Sequence, residues 1–169
     1  MASAGIWKGI AAGALGGLTA SWAMNQFQAL ESQTMKKLSN PDGQEKEESG
    51  ESDEPATAKA ANMVSEKTLD RELTPAEKKQ AAPAVHYAFG TLTGAAYGAL
   101  AQNLSFASSG YGTVFGSLLW LAADEVGVPA LKLSKPPQEV PVSSHATALS
   151  SHLVYGIVTD AVRRSLMKM

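Results

Sequence analysis

Three long runs of this chain carry no Asp, Glu, Lys or Arg: residues 9–30, 81–123 and 140–159. A surface helix of a water-soluble protein alternates an apolar stripe with charged positions, whereas a helix uncharged on every face has to be buried in protein or lipid. Crossing hydrocarbon takes ~20 predominantly apolar residues, so the outer runs accommodate one span each and the middle run two. Within the middle run, QNLSFASSGYG from Gln102 is rich in Asn, Ser and Gly and supplies the turn. The expected fold class is all-α: a four-transmembrane-helix bundle in one integral membrane domain, with helices near residues 6–30, 84–104, 111–128 and 145–166. The competing reading is a soluble, alanine-rich bundle, which the lack of charge on any face disfavours. Strands are disfavoured by abundant Ala and Gly and few β-branched runs. The first run outlasts a signal-peptide core and has only Lys8 before it, so it reads as a retained anchor.

Charge collects instead in a polar insert, residues 31–80, which holds 12 of the 16 acidic and 8 of the 14 basic residues. Residues 40–55 have too little apolar surface to offset ordering entropy and are expected to be partly disordered. Residues 56–73 permit a short amphipathic helix on the membrane surface or on a partner. TPAE, from Thr74, then reads as an N-cap, a Pro at the first helical position and a Glu closing a capping box. Helix two is therefore expected to start at Pro75 and to kink where it enters the bilayer near Pro83. Basic residues near the spans divide six to four, a marginal vote for both termini outside the cytoplasm. A net charge of -2 supplies no basic field for nucleic acid, and the absence of cysteine removes disulfides, thiolate metal sites and a thiol nucleophile.

Small residues recur every fourth position: Gly5, Gly9, Gly13, Gly17 and Ser21 on the first helix, Gly90, Gly94 and Gly98 on the second, Gly112 and Gly116 on the third. Such ridges let backbones approach closely where lipid removes the hydrophobic drive between helices. They predict glycine-zipper packing, without deciding whether the ridge meets its own chain or a second subunit.

All three histidines fall within the expected spans. His145, His152, Thr159 and Arg163 share a stripe on helix four with Asp160 at its edge; His86 and Tyr97 share a face of helix two; Asp124 and Glu125 sit near the end of helix three. Charged groups at mid-membrane cost ~2.5 to 3.5 kcal/mol on insertion scales, so they normally face the bundle interior and pair. Asp160 is expected near the membrane exit, where that cost falls. This polar seam can be read as a proton or ion path, as a metal site, or as hydrogen bonding that fixes helix register. A metal is disfavoured: His145 and His152 lie about 10 Å apart along a helix rising ~1.5 Å per residue, and no HxxxH or ExxH pair exists. The register reading is preferred, with no metal and no cofactor expected.

Prolines at 129, 136, 137 and 141 argue for an extended, stiff link between helices three and four. No GxSxG, P-loop, HExxH or dinucleotide fingerprint is present, so an enzyme is not expected.

HYAFGTLTGAAYG from His86, LLWLAADEVGVPAL from Leu118 and HLVYGIVTDAVRR from His152 resemble the YagU-like family of uncharacterised bacterial inner-membrane proteins. The resemblance runs from helix two to the C-terminus and leaves out the acidic stretch 44–54. It implies a multi-pass, all-helical inner-membrane protein, with His86, Asp124, Glu125, His152, Tyr155, Gly156 and Arg163 at matching motif positions and no catalytic residue to carry over. The expected function is a non-enzymatic accessory, assembly or envelope-stress component; the alternative is a small proton or ion channel using the seam. Its expected partners are the lipid bilayer and either further copies or a larger membrane complex.

Overall fold

Every regular element among the described residues is helical, as the charge-free runs predict. The structure, a computed structural model, describes residues 2–39 and 54–169; of the stretch 40–55 expected to be partly disordered, residues 40–53 lie outside them. Helix α1 (Ala2–Ser39) is longer than expected, because residues 31–38 are mostly good helix formers without Gly or Pro and Lys36 and Lys37 complement the dipole of the last turn. Helix α2 (Ala56–Leu69) is the expected amphipathic element, but it lays Ala58, Ala61 and Ser65 against its own chain, packing on α3.

Helix α3 (Pro75–Asn103) starts where TPAE predicts. The Thr74 hydroxyl accepts from the Glu77 N–H at 3.3 Å, and the Glu77 carboxylate accepts from the Thr74 N–H at 2.8 Å. Arg71 grips the same carboxylate through two N–H donors, at 2.8 and 3.1 Å. The Arg71 hydrogen bond, followed by those from Thr74, lowers the Glu77 carboxyl to about 2. Pro83 lies inside α3, which continues through it as one helix.

The third expected helix is altered at both ends. Ser109, Gly110 and Tyr111 have non-helical backbone, so α4 (Thr113–Trp120) begins two residues later than expected. At Leu121–Gly127 it widens into a π-type turn before closing as α5 (Val128–Ala130). Pro129 therefore belongs to a helical turn, where its missing N–H is tolerated at a helix start, and not to the extended link. Helix α6 (Val142–Met167) starts three residues earlier than expected, directly after Pro141.

Helix α1 packs between α3 and α6, and α6 packs in turn on α4. Glycines make these approaches close. A Cβ on Gly13 would strike the Gly94 carbonyl and one on Gly17 the Gly90 carbonyl, while Gly9 faces Gly98. Gly112 and Gly116 meet Gly156 and the His152 backbone in the same way. Gly5 departs from the expected ridge, with nothing within 4 Å of its would-be Cβ. The ring of helices is incomplete, since α3 and α4 scarcely meet. Among the described residues no helix is long and apolar enough to cross a membrane when hydropathy is averaged over a span.

Candidate functional site

Helix α6 supplies the polar stripe. His152, Tyr155, Thr159, Asp160 and Arg163 recur at three- and four-residue intervals, and all are buried. Asp160 is 1% exposed. Its burial is sustained by donors from two helices. The Tyr97 hydroxyl reaches Oδ1 at 2.8 Å, Arg163 Nη2 reaches the same oxygen at 2.9 Å, and Arg164 Nε reaches Oδ2 at 2.5 Å. Arg164 also donates to the Ser108 carbonyl at 2.9 Å, tying the loop before α4 to α6. The guanidiniums of Arg163 and Arg164 lie 5.5 and 5.2 Å from the ring centres of Tyr97 and Tyr111. With both carboxylate oxygens engaged, this is a closed network suited to fixing register.

A second group occupies the gap between α3 and α4. His152 Nδ1 lies 2.9 Å from the Ala148 carbonyl, so it carries the proton there, and 3.6 Å from Asp124 Oδ2. His86 approaches from α3 with its Nε2 buried and without a hydrogen-bond partner; the Ser21 hydroxyl on α1, 0% exposed, also has none. These side chains form the floor of a cleft of about 1090 Å³, walled by apolar residues such as Phe89, Leu119 and Ala122. At the cleft edge Lys78 pairs with Glu54 at 3.2 Å. Asp124 sits in the π-type turn, a distortion frequent at functional sites.

The third group is His145 with Glu125. Nδ1 lies 2.5 Å from Glu125 Oε1 and Nε2 lies 3.1 Å from the Pro137 carbonyl. Both ring nitrogens thus face acceptors, an arrangement that suits an imidazolium.

The expected seam is therefore three groups. Between the His86–Asp124–His152 cleft and the Tyr97–Asp160–Arg163 network stand aromatic rings, with Phe115 stacked 4.3 Å from Tyr97 and 6.0 Å from Tyr155. Thr159 turns its hydroxyl back to the Tyr155 carbonyl at 2.7 Å. Tyr155 itself hydrogen-bonds the Gly90 carbonyl at 2.5 Å and Thr93 at 2.9 Å.

Sequence reasoning overlooked Arg164, although its four-residue spacing from Asp160 was a usable signal. Ser21 was legible only as a small residue in the ridge; that it closes the cleft floor depends on where α1 meets α3. Among the described residues no group of three or more His, Cys, Asp or Glu is placed to hold a metal ion.

A family model described as "Protein of unknown function (DUF1440)" matches residues 54–161, more than half of the chain. The chain belongs to the DUF1440 family. The DUF1440 match takes in His86, Tyr97, Asp124, His152 and Asp160, and leaves out α1 with Ser21 and the arginines at 163 and 164. No curated protein and no solved structure matches the chain.

Proposed function

We propose that this DUF1440 protein works embedded in lipid, as a multi-pass, YagU-like protein of the bacterial inner membrane that serves a non-enzymatic accessory or assembly role. The observation that carries the reading is the lateral distribution of polarity. Trp7, Leu15, Leu18 and Trp22 of α1, Phe89, Leu92 and Leu100 of α3, and Leu118 and Leu121 beside them are exposed, while Asp160, Arg163, His152, Ser151 and Thr159 are buried. Water-soluble proteins show the opposite order, and apolar exposure on this scale marks a surface covered by lipid or protein. Averaged hydropathy counts inward-facing polar and small residues such as Gly90, Ser151, His152 and Thr159 together with the outward apolar ones.

The closed Asp160 network and the glycine contacts support a scaffold role, since both hold helices in register and neither presents a reacting group. The role is tested by expressing the chain in a bacterium, extracting membranes with alkaline carbonate, and cross-linking before solubilisation in mild detergent. Retention in the carbonate pellet together with a cross-linked complex is expected. Release into the carbonate supernatant overturns the lipid reading, and a monomer without cross-linked neighbours overturns the accessory role.

A further inference from the structure

We infer that the cleft between α3 and α4 binds one molecule of a neutral single-tailed lipid, its hydroxyl- or carbonyl-bearing head against Ser21 and His86 and its hydrocarbon chain along Phe89, Leu119 and Ala122. The inference rests on the lipid-embedded reading for the ligand's supply.

The cleft exists because the two helices are held together at one end only. Tyr97 and Phe115 stack near the Asp160 network, and the space is lined by the N-terminal part of α3, residues 75–93, and by residues between 119 and 128. Protein interiors pack to crystal-like density, so a space of about 1090 Å³ is far beyond packing slack and matches the size of small-molecule sites.

Chemistry selects the head. Ser21 Oγ and His86 Nε2 line the space, are buried and have no hydrogen-bond partner; Glu31 Oε2, Trp120 Nε1 and Ser151 Oγ are also buried and unpartnered but do not line it, while Tyr155 is satisfied by Gly90 and Asp160 by three side chains. Buried polar atoms in folded proteins are paired as a rule, and a ligand head offering a donor and an acceptor would pair these two. Charge selects against an anion. Asp124 lines the floor itself, and of the two lysines at the cleft edge Lys78 is held by Glu54 and Lys79 is exposed to the surroundings. The walls select the tail, being apolar and continuous with the exposed faces of Phe89 and Leu121.

The test uses the full chain purified in mild detergent, with a monoacylglycerol carrying a diazirine midway along its chain and the fatty acid of the same chain as the anionic comparison. After photolysis, labelled peptides are expected from residues 83–93 and 119–128, with the fatty acid giving less than a fifth of that yield. Ala122→Trp fills the gap and is expected to reduce labelling at least five-fold. Ser21→Ala removes only one oxygen, and with His86→Leu it is expected to reduce labelling at least three-fold, while His86→Gln retains most of it. Labelling spread over the outer helix faces and unchanged by Ser21→Ala with His86→Leu would overturn the inference, as would equal labelling by the fatty acid. Carbonate extraction of the same membranes separates the two readings: a released protein that still labels in the cleft defeats the membrane reading alone, and a retained protein that does not label defeats the cleft ligand alone.

Discussion

The Tyr97 hydroxyl of α3 donates to Asp160 Oδ1 of α6 across 2.8 Å, and both residues are almost wholly buried. Two helices that both pack on α1 are thus joined directly by a neutral donor and a carboxylate that two arginines also share. Removing the carboxylate leaves Arg163 buried without its partner, and breaking a buried pair from one side costs about 3–5 kcal/mol. Asp160→Ala is therefore expected to destabilise strongly and Tyr97→Phe by only about 1.5–3 kcal/mol, the scale of one hydrogen bond to a charged group. Thermal unfolding in detergent checks both; equal, small losses would show that the network does not hold the bundle.

Close helix approach makes a graded prediction at the glycines. Even one methyl group on Gly94 would meet the Gly13 carbonyl and force α1 away from α3. Gly94→Ala is expected to cost about 1–3 kcal/mol by overpacking, whereas Gly5→Ala, in open space, should stay within about 0.5 kcal/mol of the parent. Melting temperatures of the two variants decide it, and an unaffected Gly94→Ala would disprove the contact.

Acid should loosen the start of α3. The Glu77 carboxyl is lowered from 4.5 to about 2, first by Arg71 and then by Thr74. A depressed carboxyl contributes stability that is complete above its unfolded value and is lost as pH falls through its folded one. The contribution should therefore be full above about pH 4.5 and disappear towards pH 2. In the folded protein the Thr74 amide resonance should titrate with a midpoint near 2, and Glu77→Gln should abolish the transition. A midpoint near 4.5 in the parent would show that the capping box and Arg71 do not hold the carboxylate.

The ring stack bears on proton conduction. With Phe115 stacked on Tyr97, and Tyr155 beside it, between the two polar groups, purified protein in liposomes should pass protons no faster than protein-free liposomes, as read by an entrapped pH-sensitive dye. Flux above that background, slowed by His152→Ala or Asp124→Asn, would restore the channel alternative.

Local signals in the sequence were sufficient for the elements they concern. TPAE contains its own hydrogen-bond donors and acceptors within four residues, so the start of α3 could be read directly. The small-residue ridges marked most contact faces; at Gly5 the would-be Cβ meets open space, and α3 reaches that residue only through the Gln102 side chain, which donates to its carbonyl at 3.2 Å. The π-type turn and the late start of α4 were not legible, since they come from fitting a segment between the left-handed backbone at Tyr111 and Gly112 and its packing on α6. The polar stripe of α6 was visible as a stripe, but its division into three groups was not.

By itself the sequence determined that this chain is helical, where its capped helix begins, and which faces carry small or polar residues, because these follow from neighbours along the chain. Tertiary structure alone decided that Asp160 is buried between arginines and that Ser21 and His86 share an open cleft. Those outcomes depend on the angles at which distant helices pass one another, and on the failure of α3 and α4 to close, which no local spacing encodes.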